Sequence, residues 1–270
     1  KKTRGEVMQL VEPKVYLIGE TRVLEDEMQL YLNEIGVPEW RSDAPTDMEV
    51  VVEVMGRLCY RSFKPGLNPN VKKVREHNKE YFDNILGVGH GSVIEHGFLN
   101  FILMDVSRVL THELVRHRVG VAISQESLRF VRLDKLRFWI PQVFRNHSQA
   151  EKLIAFITEK VVQMESWQLE LAEILELDKI PGFEVKKKLT SAMRRIAPDG
   201  LATTIGWSVN PRALRHVIEM RTDPGAEEEI RLVFGKIAEI VIKRYPNLFG
   251  DYKVEIVDGL PWYKTENTKV

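Results

Sequence analysis

Cysteine is nearly missing: the 270 residues hold one, Cys59. A single thiol forms no intramolecular disulfide and builds no zinc site from several thiolates, so a reducing, cytoplasmic setting is expected. Net charge is missing too, with 39 Lys and Arg against 39 Asp and Glu. That balance speaks against a polyanion-coating protein, and no nucleic-acid partner is expected. Apolar runs stay short. The longest, near Phe98 to Met104, falls well below the ~20 residues that span a bilayer, and Lys1 to Leu10 lacks the apolar stretch of a secretory signal. A soluble protein with no membrane partner is expected. Neither Gly-x-Gly-x-x-Gly after a strand nor Gly-x-x-x-x-Gly-Lys occurs, so any nucleotide phosphate must be held by side chains. No repeat, low-complexity tract or linker interrupts the chain. It reads as a single domain over residues 1–270, with an N-terminal extension over about 1–45 and a C-terminal tail over about 251–270.

What is present reads as helices separated by turn residues. Lys14 to Ile18 alternates as a strand and Leu24 to Ile35 has the pattern of a short helix. Thr46 and Glu49 have capping-box spacing and predict a helix running toward Cys59. Asn70 predicts the cap of a helix with Val71, Val74, Tyr81, Phe82 and Ile85 on its apolar face, stopping at Gly87 and Gly89, with His90 to Ser92 in a loop. Gly97 to Met104 has the length of a strand. Asp105 or Ser107 then starts a helix that delivers Arg116-His117-Arg118 to its C-terminal end. Ser148 and Glu151 form a second capping box, predicting the longest helix, through Leu153, Ile157, Val161, Met164, Leu171 and Leu175 to Pro181-Gly182. A basic helix follows from about Val185 to Ile196. Asn210-Pro211 supplies a cap and an N1 proline for the next, which carries Arg212, His216 and Arg221. The last helix opens on Glu227 to Glu229, suited to the positive end of its dipole. The expected class is α/β (α+β), mostly helical with a small antiparallel sheet.

Five of the seven histidines, His90, His96, His112, His117 and His216, lie in the segments richest in arginine and polar side chains. His112-Glu113 begins like a zincin motif. The residue four further on is Arg116, which ligates no cation, and His117 lies one position too far round the helix, so no metal is expected. Cys59 could serve as a nucleophile, although such a residue is more often a small apolar filler. The stretch Arg116 to Phe130 concentrates what anion recognition needs: guanidinium forks for phosphate oxygens, Ser and Gln as neutral partners, and small residues that let backbone amides approach. Its bland alternative is a solvated basic helix end.

Four ordered blocks carry a resemblance. They are His90-x-Ser92-x-x-Glu95-His96, then Arg116-His117-Arg118, then Ser124-Gln125-Glu126-Ser127-x-Arg129-Phe130, and finally Asn210-x-Arg212 with Arg221. Over roughly residues 50 to 245 the chain resembles the flavin-dependent thymidylate synthases, whose signature is RHR, seven residues, then Ser. Here eight residues, Val119 to Glu126, separate Arg118 from Ser127, and the extra one is placed within Val119 to Ile123. Glu113 stands where the family often has Gln, Phe130 where Tyr is common, and His216 where Asn is frequent.

The resemblance implies a fold of the thymidylate-synthase-complementing type and reductive methylation of dUMP to dTMP. The one-carbon donor would be methylenetetrahydrofolate and the reductant NADPH, acting through FAD, with no enzyme cysteine attacking the ring. It further implies a homotetramer with each active site built from several subunits. FAD would be held by Ser92, Glu95, Arg116, His117, Arg118, Asn210, Arg212 and His216. The nucleotide would be held by Glu113, Gln125, Glu126, Ser127, Arg129, Arg194 and Arg221. Arg221, Ser127 and His90 would stand at the reaction centre, with Arg221 stabilising negative charge on the pyrimidine and His90 against the flavin where folate stacks; Ser127 need not be a nucleophile. Cys59 would do no more than contact the cofactor. Arg57 and Arg212 have a second reading as exposed helix arginines. Two other functions remain open: the same scaffold acting on another pyrimidine nucleotide, and a non-catalytic nucleotide-binding protein.

Overall fold

The structure is a computed structural model, described over residues 9–127 and 136–268. In chain order its elements are β1 (Gln9–Leu10), β2 (Lys14–Glu20), α1 (Glu25–Glu34), α2 (Asp47–Tyr60), α3 (Asn78–Gly87), β3 (Leu99–Ser107), α4 (Arg108–Leu114), β4 (Val121–Gln125), β5 (Arg137–Phe138), α5 (Gln142–Arg145), α6 (Ala150–Ile174), α7 (Phe183–Met193), β6 (Ala202–Val209), α8 (Pro211–Thr222), α9 (Glu228–Arg244), α10 (Pro246–Phe249), β7 (Lys253–Val257) and β8 (Leu260–Lys264). Short 3-10 turns lie at Gly91–Glu95, Leu177–Lys179 and Arg194–Ile196. The expected class, helices with a minority of strand, is what is found. Four strands form a sheet in the order β2-β3-β6-β4, β7 and β8 form an antiparallel hairpin, and β1 pairs with β5 in parallel.

Contacts group the chain into two compact units: Lys1–Val15, Ile102–Arg116 and Ile123–Gly206 in the first, and Tyr16–Phe101, His117–Ala122 and Trp207–Val270 in the second. In the first unit Ser107 caps α4, its hydroxyl accepting from the Leu110 N–H at 3.1 Å. That choice of cap leaves Asp105 in β3 with a φ of 60°, where a salt bridge from Arg137 at 2.5 Å holds its carboxylate. Helix α4 ends at Leu114, so Arg116-His117-Arg118 lies just past the helix and not on its last turn. The stripe Ile157, Val161, Met164 of α6 packs with Leu136, Leu201 and Phe138. The Ser148–Glu151 capping box does not form: Gln149 is the cap and has no side-chain bond, and its N–H donates to His147 Nδ1 at 3.1 Å. The helix stops at Ile174, short of Pro181, because the chain reverses at Glu176 with a φ of 46°.

In the second unit Thr46 caps α2 as expected, accepting from the Glu49 N–H at 3.4 Å and donating to the Glu49 carboxylate at 2.8 Å. The helix then buries three charged residues at four-residue spacing, Glu49, Glu53 and Arg57. Arg57, 1% exposed, is therefore no surface arginine. It pairs with Glu53 at 2.6 Å, lies over the Tyr81 ring at 4.8 Å, and donates to the carbonyls of Ser62 and Arg75 at 2.6 and 2.8 Å. Helix α3 begins at Asn78, not near Asn70. Asp43 Oδ1 accepts the Asn78 N–H at 2.7 Å, so the first turn is satisfied from 35 residues away, while Asn68 takes the Asn70 N–H locally. The core gathers Phe101, Trp207 and Phe234, the last two edge-on at 5.4 Å, against α8 and α9. Asp258 and Gly259, both at positive φ, make the two-residue turn of the terminal hairpin.

Candidate active site

Helix α8 organises the second unit's functional residues along its length. Asn210 starts it by accepting the Ala213 N–H at 2.8 Å, and the Asn210 N–H donates to the Gly120 carbonyl at 2.9 Å. Gly120 has a φ of 69°, and a Cβ there would fall 2.5 Å from Asn210 Nδ2. Only glycine lets the segment after the RHR motif close on the cap. Asn210 is nearly buried and its side-chain oxygen is occupied by the helix, so it seats the RHR segment before it serves any ligand.

At the other end of α8, Arg221 Nε donates to His117 Nε2 at 2.9 Å, and the rings of His117 and His216 stand edge to face at 6.5 Å. Burial, with the neighbouring Arg221 and His216, depresses the His117 pKa to about 4. The imidazole is therefore neutral near pH 7 and its Nε2 is an acceptor, which places its hydrogen on Nδ1. Arg221 and His216 also border a cavity of about 620 Å³ with Glu219, Asp223 and, from the terminal hairpin, Trp262 and Lys264. Burial raises the Glu219 pKa against the opposing pull of Arg215 and His216.

Near the start of α8, Arg212 Nη1 donates to Glu95 at 2.5 Å, with both side chains about four-tenths exposed. Gly91 makes room for it: a Cβ there would lie 2.6 Å from Arg212 Nε. His90 and Ser92 line a separate cavity of about 460 Å³ with Cys59, Ser62, Lys73 and Arg75. The Cys59 thiol leans back on the Met55 carbonyl at 4.0 Å. Cys59 and Arg221 thus border different cavities.

The first unit holds most of the residues read as nucleotide ligands. Arg194 lines a cavity of about 500 Å³ together with Arg108, Lys188, Ser191, Arg195 and Asp199. Four cations face one carboxylate, and Arg108 Nη1 is buried with no hydrogen-bond partner among the described residues. A buried unpaired guanidinium nitrogen is costly, and an anion in the cavity would relieve it. Gln125 Nε2 donates to Thr111 Oγ1 at 3.1 Å. The Glu126 carboxylate accepts the Thr204 N–H at 3.2 Å and lies 3.5 Å from Arg137, so it has protein partners of its own. Glu113 and Ser127 are half-buried, and Arg116 and Arg118 are exposed. Arg129 and Phe130 lie outside the described residues.

The structure therefore joins His117 with Arg221 and His216, Glu95 with Arg212, and His90 with Ser92. Arg108, Lys188 and Arg195 beside Arg194 escape sequence reasoning, because nothing in their local pattern separates them from solvated cations. Among the described residues no group of three or more His, Cys, Asp or Glu is arranged to hold a metal ion, and no helix is long and apolar enough to cross a membrane.

The comparisons agree with the motif blocks. The model of the thymidylate synthase complementing protein family matches residues 43–247. The flavin-dependent thymidylate synthase of Corynebacterium diphtheriae is 33% identical over 223 residues, 82% of this chain and 86% of the relative. That of Mycobacteroides abscessus is 32% identical over 225 residues, and that of Mycobacterium tuberculosis 31% over 221, with the same shares covered. With the motifs in order and the match spanning most of both partners, the chain belongs to the family of flavin-dependent thymidylate synthases.

Proposed function

We propose that this enzyme makes dTMP by reductive methylation of dUMP, with methylenetetrahydrofolate as one-carbon donor and NADPH as reductant, through FAD and without attack by an enzyme cysteine. The observation that carries the reading is the bond from Arg221 to a neutral His117. The pyrimidine C5 is a weak nucleophile, and negative charge must be stabilised on the ring as it reacts. The acceptor on His117 fixes the Arg221 guanidinium plane through Nε. A donor so oriented stabilises developing charge at no reorganisation cost, worth about 3 kcal/mol in comparable sites.

The residues present fit an anionic dinucleotide. FAD, when bound, supplies the reducing equivalents drawn from NADPH. Arg116, Arg118 and Arg212 would face its pyrophosphate, and Ser92 and Glu95 are suited to its hydroxyl groups. Gly91 and Gly120 keep side-chain bulk away from Arg212 and Asn210. The cationic cavity with Arg194, Arg195, Arg108 and Lys188 would take the dUMP phosphate, and Arg108 Nη1 would gain a partner that it lacks among the described residues. Gln125, Glu126, Glu113, Ser127 and Arg129 complete the nucleotide set in this reading, with His216 and Asn210 on the flavin side. A homotetramer and a cytoplasmic setting belong to the same proposal.

The test is spectroscopic and then competitive. Purified protein should be yellow or become so with FAD, and in one turnover mixture should choose dUMP over UMP and dCMP. A protein that stays colourless with added FAD defeats the proposal, and a preference for UMP or dCMP moves it to another pyrimidine nucleotide.

A further inference from the structure

The cationic cavity of the first unit carries more positive charge than one phosphate group cancels. Arg108, Lys188, Arg194 and Arg195 line it against Asp199 alone. None of the four forms an ion pair with another described residue. Their neighbours do: Lys186 lies 4.0 Å from the Asp178 carboxylate and Lys187 lies 3.5 Å from that of Glu184. The surplus is local, since the whole chain has 39 Lys and Arg against 39 Asp and Glu. It is also set on a fixed frame. The N–H groups of Arg108 and Val109 donate to the Leu201 and Asp199 carbonyls, both at 3.2 Å, which ties the start of α4 to the segment after Pro198. Gln168 of α6, 4% exposed, donates to the Met193 carbonyl at 3.3 Å, where α7 ends. Depth separates the four cations: Arg108 Nη1 is buried with no hydrogen-bond partner among the described residues, whereas Lys188, Arg194 and Arg195 are exposed.

A phosphomonoester carries about two negative charges near pH 7. Seated on Arg108, it supplies the partner missing in the cavity wall and leaves outer cations uncancelled beside one another. A longer phosphate chain adds charge at each link and reaches those outer cations in turn. We infer that the cavity takes a polyphosphate chain, as in a nucleoside triphosphate, with one phosphate at Arg108 and the next at Lys188 and Arg195. Its volume of about 500 Å³ lies within the roughly 300–1,000 Å³ common for small-molecule sites. The binding is argued from the cavity alone. Its consequence, that a triphosphate competes there with dUMP and restrains the enzyme, rests on the proposed function.

The experiment is titration calorimetry at constant ionic strength, without divalent cations and with FAD present. It compares inorganic phosphate, pyrophosphate and tripolyphosphate on the parent protein and on the Lys188→Gln, Arg195→Gln double variant, whose changes fall on exposed side chains. Tripolyphosphate should bind the parent roughly tenfold more tightly than phosphate, from about two further charge pairs at a partly open site, with pyrophosphate between them. The double variant should lose that gain and still bind phosphate. Equal affinity for the three anions, or a gain that survives in the double variant, overturns the inference. Thymidine triphosphate should bind the parent at least as tightly as tripolyphosphate, and weaker binding would exclude a nucleotide and overturn the assignment. In turnover, tripolyphosphate should raise KM for dUMP and leave kcat unchanged. A chain that binds without moving KM leaves the inference standing and removes the dUMP phosphate from this cavity, so the two readings fail separately.

Discussion

His117 carries a consequence for pH that its geometry decides. Its folded pKa, about 4, lies below the ordinary value of 6.5. Between those values the unfolded chain binds the proton that the folded site excludes, so stability rises with pH through this window. The contribution is complete above about pH 6.5 and is lost as pH falls toward 4. His117→Gln retains an acceptor and removes the titration. Urea unfolding at a series of pH values should show the parent losing stability relative to this variant between about pH 6.5 and 4; parallel curves would contradict the assignment. The two arginines flanking this histidine's function should separate in their effects. Arg221→Ala is expected to cost turnover about 10²- to 10³-fold with FAD retained, whereas Arg118→Ala weakens FAD itself. Identical losses in turnover and FAD affinity from both would refute the division of roles. The sequence showed these residues through spacing alone, since RHR and Asn-x-Arg have a fixed order. That Arg221 bonds to His117, 104 positions away, is a fact of folding that no local pattern holds.

At the scale of elements, legibility followed the range of the interactions that start and stop each one. Thr46 and Asn210 make their own caps with side chains three residues away, and both helices begin where the sequence places them. Helix α3 does not, because its cap is Asp43, brought in from another part of the chain. Asp43→Ala should therefore destabilise the fold by about 1 kcal/mol and speed amide exchange in the first turn of α3. Unchanged protection at Asn78 and Lys79 would sink that account. Burial of Asn78 and the Glu53 network explains why the helix cannot start earlier: Asn78 Nδ2 donates to the Glu53 carboxylate at 2.7 Å, fixing this turn against α2. The terminal hairpin, by contrast, has a local signal in the sequence. Asp258-Gly259 between alternating residues is a strong short-range hairpin signal. Strand β6 carried a comparable sign, Ile205, Trp207 and Val209 alternating inward.

Buried apolar residues fill both units, and in the second the packing is aromatic at its centre. Trp207, 1% exposed, touches the rings of Phe101 and Phe234. Trp207→Ala should cost about 3–5 kcal/mol in denaturant unfolding, and a loss under 1 kcal/mol would show this core to be misread. The class of fold was visible in helical periodicity, but the two compact units were not, because each is assembled from three separate stretches of chain. The residues that carry the proposed chemistry divide between them, the cationic cavity around Arg194 in one and the Arg221–His117 pair in the other. Charge stabilisation by Arg221 in place of a thiol is the central claim. Release of tritium from dUMP labelled at C5, with FAD, NADPH and methylenetetrahydrofolate present, tests it directly. Cys59→Ser should release tritium at close to the parent's rate, and Arg221→Ala should release almost none. A Cys59→Ser protein that has lost release, or an Arg221→Ala protein that keeps it, would contradict the mechanism.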